Sequence, residues 1–165
     1  MSDVWSRIGE AAERYAEAFD AGDLPTPPAQ RLVVVTCMDA RIDPVQLFGL
    51  SLGDAHVLRN AGAVVTDDVL RSVAVSTQLL GTRKVALMAH TRCGMAGITN
   101  DDVRASFAAA GVDASDVDFQ PFPDLEESVR AGMARLSASP LLPEDVDVHG
   151  WIYDVETGRV SEVGA

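Results

Sequence analysis

The sequence predicts an α/β domain: a mainly parallel sheet of four to five strands flanked by helices, preceded by an N-terminal helical arm. Three observations carry this expectation. Apolar, β-branched runs at residues 31–36, 55–59 and 84–89 alternate with helical patterns, as crossover-connected parallel strands do. The first and third of these runs are apolar almost throughout, which suits strands covered on both faces. A proline-rich stretch then sets the first helix apart from all that follows.

Val4, Ile8, Ala11, Tyr15 and Phe19 recur every three to four residues and predict an amphipathic helix over 3–19. Pro25, Pro27 and Pro28 make 21–30 an extended connector, because proline cannot continue a helix. Residues 1–30 thus read as an arm, and 31–165 as a single α/β domain. After the strand at 31–36, Asp43 can cap a short helix with Pro44 in its first position, ending near 50–53. Residues 55–59 form the second strand, expected to be buried like its neighbours. A helix starting at Asp67 or Asp68 carries Val69, Val73, Ser76 and Leu80 inward and stops at Gly81. The third strand, 84–89, leads into a turn with Gly94 and Gly97 and a helix over about 101–110. Residues 111–123 are irregular, 125–137 form a helix stopped before Pro140, and 146–155 with 159–163 flank Glu156-Thr157-Gly158 as a hairpin.

The 165 residues suffice for one core but not for two. A formal charge of -12 excludes nucleic acid or an anionic membrane as a default partner, since both would be repelled. No apolar stretch approaches the length of a membrane span, and the N-terminus lacks the basic and apolar regions of a secretory signal. Only two cysteines, Cys37 and Cys93, occur, too few for a secreted disulfide scaffold, so a reducing cytoplasm is expected.

Sites in open parallel sheets form at the carboxyl ends of strands. The first strand runs into Cys37-Met38-Asp39-Ala40-Arg41 and the third into His90-Thr91-Arg92-Cys93-Gly94. Both cysteines and one of three histidines are therefore expected just past strand ends on one sheet edge. Singly, a cysteine after a strand is ordinarily a small apolar residue. Together, two thiolates and an imidazole are a good set for Zn²⁺, with water or the Asp39 carboxylate in fourth position. A redox pair is disfavoured, because the cysteines are far apart in sequence rather than in Cys-x-x-Cys spacing.

These motifs, with Arg59-Asn60-Ala61-Gly62 after the second strand and Met95 after the third, make the chain resemble the β-class carbonic anhydrases of short bacterial type. The likeness is specific over 31–97 and weaker through Gly150-Trp151-Ile152-Tyr153-Asp154. It implies zinc held by Cys37, His90 and Cys93, a catalytic dyad of Asp39 and Arg41, and reversible hydration of CO2 to bicarbonate by zinc-bound hydroxide. It also implies a homodimer or dimer-based oligomer with the N-terminal helix embracing a neighbour. Asp39 would either occupy the metal's fourth position or, drawn off by Arg41, accept a hydrogen bond from the attacking hydroxide. Activity should then rise with pH as hydroxide displaces Asp39. Ala61 and Gly62 are expected to line the pocket, and His56 and His149 to be structural. Arg92, between two ligands, bears on rate and pH optimum. The rivals are hydrolysis of carbonyl sulfide or carbon disulfide by the same hydroxide, and a non-catalytic zinc sensor of bicarbonate.

Overall fold

The computed structural model describes residues 3–164; Met1, Ser2 and Ala165, at the ends of the expected arm and domain, lie outside the described residues. Five strands, β1 (Leu32–Cys37), β2 (Ala55–Asn60), β3 (Lys84–His90), β4 (Asp147–Tyr153) and β5 (Val160–Val163), form one sheet in the order β2-β1-β3-β4-β5. All neighbours are parallel except β4 and β5, which close an antiparallel hairpin. The helices are α1 (Val4–Glu17), α2 (Pro44–Leu47), α3 (Asp67–Leu79), α4 (Asn100–Ala109) and α5 (Leu125–Ser137).

The expected fold class is therefore the observed one, but α2 ends at Leu47 rather than near 50–53, and three details of the strands differ. Strand β1 begins at Leu32, because Arg31 adopts a left-handed φ of 52°, and it continues through Cys37, which pairs with Asn60. Similarly His90 is the last residue of β3, not the first beyond it. Strand β2 is not buried on both faces: it is the sheet edge, and its residues alternate between half-buried and exposed from His56 onward. Strand order decides that, and periodicity within one strand does not carry it.

Each helix starts where a short polar side chain satisfies a free backbone N–H. Asp43, Thr66, Thr99 and Asp124 cap α2, α3, α4 and α5, and Thr99 forms a reciprocal capping box with Asp102. Helix α3 buries Val69, Val73, Ser76 and Thr77; Leu80 is its C-terminal cap and is only half-buried. Helix α5 buries Val129, Met133 and Leu136, which join Val33, Val35, Val85 and Leu87 in the core. It sits so close to β4 that a Cβ on Gly150 would lie 2.3 Å from Met133 Sδ and 2.6 Å from Val129 Cγ1. Only glycine allows that approach.

Helix α1 is different: none of its residues is buried, and Trp5, Ile8 and Tyr15 are exposed. The connector behind it is fixed to the body, since Ala29 N–H donates to Gly53 O and Gln30 N–H to Asp54 O. Pro28 is buried at that junction.

The topology has one consequence for function. The chain leaves β1 toward one edge to make β2, then returns across β1 to make β3 on its other side. The carboxyl ends of β1 and β3 thus flank the point where winding reverses, where a crevice opens in such sheets.

Candidate metal centre

Cys37 ends β1, His90 ends the adjacent β3, and Cys93 follows in the tight turn after it. All three are buried, and their ligand atoms lie within 4.8 Å of one another. Arg92, with φ of 54°, turns the chain so sharply that Cys93 comes back beside His90. Both cysteines are free.

The protonation pattern of His90 follows from its contacts. Its Nδ1 lies 2.9 Å from the Thr91 carbonyl oxygen. A carbonyl only accepts, so Nδ1 carries the hydrogen and Nε2 presents a lone pair. Nε2 is buried without a hydrogen-bond partner. Burial also lowers the His90 pKa, keeping the ring neutral. Burial pushes the Cys93 thiol up from its ordinary value, and the neighbouring Cys37 adds to this, although the Met95 amide opposes it. Two sulfurs and an orphaned imidazole nitrogen converging in a buried spot fit Zn²⁺ by number, type and spacing.

Asp39 sits at the margin of this group. Its Oδ1 accepts from the Arg41 backbone N–H at 2.9 Å and from Nε at 2.8 Å, and its Oδ2 accepts from Nη2 at 2.6 Å. The Arg41 guanidinium hydrogen bonds, then its backbone amide, hold the Asp39 carboxyl well below the usual carboxylate range. Oδ2 is 3.8 Å from His90 Nε2. The carboxylate therefore borders the three-donor cluster while being held by Arg41. Arg41 is steadied in turn by Nη2 donating to the Arg92 carbonyl at 3.1 Å.

The other candidate residues divide clearly. Gly62 is buried against the site, its N–H 3.4 Å from Cys37 Sγ, and Ala61 precedes it in the same turn. The Arg92 side chain pairs with Glu156 at 3.1 Å and is exposed. His56 bonds Ser76, and His149 lies between Asp147 and Glu162; neither belongs to the ligand cluster. A cleft of about 770 Å³ lined by Val64, Val65, Phe122 and Arg135 includes none of the three donors.

Two residues were not assigned a task from sequence. Arg59 donates from Nε to Cys37 O at 3.0 Å and from Nη2 to Asp39 O at 2.6 Å, gripping the loop that holds both. Asn60 Nδ2 donates to Val64 O at 2.7 Å. The available signal was their place at the end of the strand paired with β1, since Arg59 and Asn60 lie opposite Thr36 and Cys37.

Comparison with known proteins agrees with this geometry. The carbonic anhydrase family model matches residues 32–160. Beta-carbonic anhydrase 1 of Mycobacterium tuberculosis is 42% identical over 149 residues, covering 90% of this chain and 91% of that protein. A carbon disulfide hydrolase of Acidianus is 34% identical, covering 81% of this chain and 78% of its own. The crystal structure of carbonic anhydrase from Streptococcus mutans superposes with a TM-score of 0.93 at 45% identity, covering 99% of both chains. With this match over most of its length, a parallel sheet of the same build and a Cys-His-Cys cluster at its switch point, the chain belongs to the β-carbonic anhydrases, a family of zinc-dependent carbonate dehydratases.

Proposed function

We propose that this chain catalyses the reversible hydration of CO2 to bicarbonate and a proton. The observation that carries the reading is a buried cluster of Cys37, His90 and Cys93 donors within 4.8 Å, bordered by a carboxylate that Arg41 fixes 3.8 Å from His90 Nε2. Cys37 Sγ, His90 Nε2 and Cys93 Sγ are the atoms that would hold Zn²⁺. When bound, the ion acts as a Lewis acid, making water acidic enough to attack CO2 near neutral pH.

The protein's own groups supply position and proton handling. Asp39 stays ionised across the physiological range, so its oxygens only accept hydrogen bonds. Oδ2, on the side of His90, accepts from the attacking water and turns a lone pair toward the substrate carbon. Arg41 is a positioning residue that acts through Asp39. Its three hydrogen bonds support this placement over the alternative in which the Asp39 carboxylate fills the fourth metal position. Ala61 and Gly62 line the pocket through backbone, the Gly62 N–H lying 3.4 Å from Cys37 Sγ.

Residues 1–30 form an arm and 31–165 the catalytic unit of a homodimer or dimer-based oligomer. The support is α1, whose apolar side chains cover nothing in their own subunit. Free, buried Cys37 and Cys93 suit a reducing cytoplasm, and no described helix is long and apolar enough to cross a membrane. Carbon disulfide is the second substrate to weigh, because the Acidianus relative named as its hydrolase is 34% identical.

Stopped-flow CO2 hydration tests the proposal. The zinc-loaded protein should hydrate CO2, Cys37→Ser should lose metal and activity together, and Asp39→Asn should keep its metal while kcat falls about 100-fold or more. Hydrogen sulfide release from carbon disulfide without CO2 hydration would instead select the second substrate.

Zinc affinity, measured by chelator competition, should rise between pH 6.5 and 8.5. Cys93 is held as a thiol by burial, ligation needs the thiolate, and the released proton makes binding tighter as pH increases. A pH-independent affinity would argue against Cys93 as a ligand.

Deleting residues 1–28 should weaken self-association in sedimentation velocity. An unchanged oligomer would refute the embrace by α1.

A further inference from the structure

We infer that Asn60 is a positioning residue for the metal centre: its carboxamide staples the Ala61–Ala63 turn so that the Gly62 amide donates a hydrogen bond to the Cys37 sulfur. The inference rests on the zinc-site reading above and assigns a task to a residue that touches neither metal nor substrate.

The geometry runs in one chain of contacts. Asn60 is the last residue of β2 and lies opposite Cys37 in the parallel register. Its carbonyl accepts from Met38 N–H at 2.8 Å, which anchors Asn60 directly beside the loop leaving Cys37. Its side-chain Nδ2 then reaches across the turn to Val64 O at 2.7 Å, closing Ala61, Gly62 and Ala63 into a compact loop. Inside that loop Gly62 takes φ of 82°, which glycine adopts freely, and Ala63 φ of 57°, a left-handed conformation that an open chain would seldom hold. The outcome is a Gly62 N–H aimed at Cys37 Sγ, 3.4 Å away.

The staple uses only one half of the Asn60 carboxamide. Asn60 Oδ1 is buried and has no hydrogen-bond partner among the protein's own atoms. The use of the Nδ2 half is to shape the turn. The turn is also boxed from outside: a Cβ on Gly62 would meet Phe122 Cε1 at 3.0 Å, Met95 Cβ at 3.2 Å and Val64 Cγ2 at 3.3 Å. Met95 belongs to the loop of Cys93, so the two ligand loops are packed through Gly62.

An N–H bonded to a thiolate withdraws electron density from the sulfur. It lowers the energy of the sulfur lone pairs and fixes the direction in which the ligand points, as contacts beyond the ligands do at metal sites generally. Asn60 thereby sets both the donor strength of Cys37 and its orientation.

The test uses Asn60→Leu, which nearly preserves size and shape, adds no charge and has no donor for Val64 O. In the Co²⁺-loaded full-length protein, the thiolate-to-metal charge-transfer band should move to lower energy in the variant, because the Cys37 sulfur loses its hydrogen bond. Zinc affinity should fall about 10-fold. A variant with the parent's spectrum and the parent's affinity would overturn the inference. Should the variant fail to fold, the unaltered protein loaded with a spin-active cadmium isotope gives a direct readout: a scalar coupling between the metal and the Gly62 amide proton supports the bond, and its absence overturns it. A parent protein with no thiolate band at all would overturn the metal centre and this inference with it. A parent with the band and an unaffected variant would overturn the inference alone.

Discussion

The parallel pairing of β1 with β3 is the constraint on which the rest of the structure depends. Residues more than fifty positions apart in the chain meet because Thr36 and Met88 are register partners, so the next residues of both strands emerge at the same sheet edge. Parallel pairing demands a long crossover, and here that crossover carries β2 and α3. The core of Val33, Val35, Val85 and Leu87 holds the two strands in this register. A slip by one residue would turn those side chains to the other face and separate Cys37 from His90. Burial energy spent on valines and leucines thus fixes the positions of three ligand atoms.

Around that frame, each chemical group is held by hydrogen bonds that orient its working atom toward the cluster. The Thr91 carbonyl takes the His90 Nδ1 hydrogen and leaves Nε2 bare. Arg41 grips Asp39 from one side, and Asp39 Oδ2 still borders His90. Arg59 ties down the carbonyls of Cys37 and Asp39. Such preorganisation matters for a small, uncharged substrate like CO2, which offers few handles for binding. Rate must then come from groups already in place before the substrate arrives.

Much of this was legible in the amino-acid sequence. The alternation of apolar runs with helical patterns predicted the sheet, and the residue types at Cys37, Asp39, His90 and Cys93 pointed to a zinc chemistry at strand ends. Other features depend on tertiary arrangement. The half-exposed state of β2 follows from its place at the edge, which no local pattern encodes. The reach of Arg59 to two carbonyls, and of Asn60 to Val64, depends on where long or polar side chains land after the strands pair. The apolar stripe of α1 was readable as a stripe, whereas its lack of any surface to cover within its own subunit emerges only from the folded chain. The charge of -12 has no counterpart in the site, and a neutral substrate is indifferent to it.

X-ray absorption at the zinc edge of the purified holoprotein reads directly whether two parallel strand ends assemble a thiolate–imidazole zinc site. Two sulfur ligands at about 2.3 Å and one imidazole nitrogen at about 2.0 Å are expected, with a single further light-atom ligand. Coordination by nitrogen and oxygen alone would overturn the assembly of the site from Cys37, His90 and Cys93.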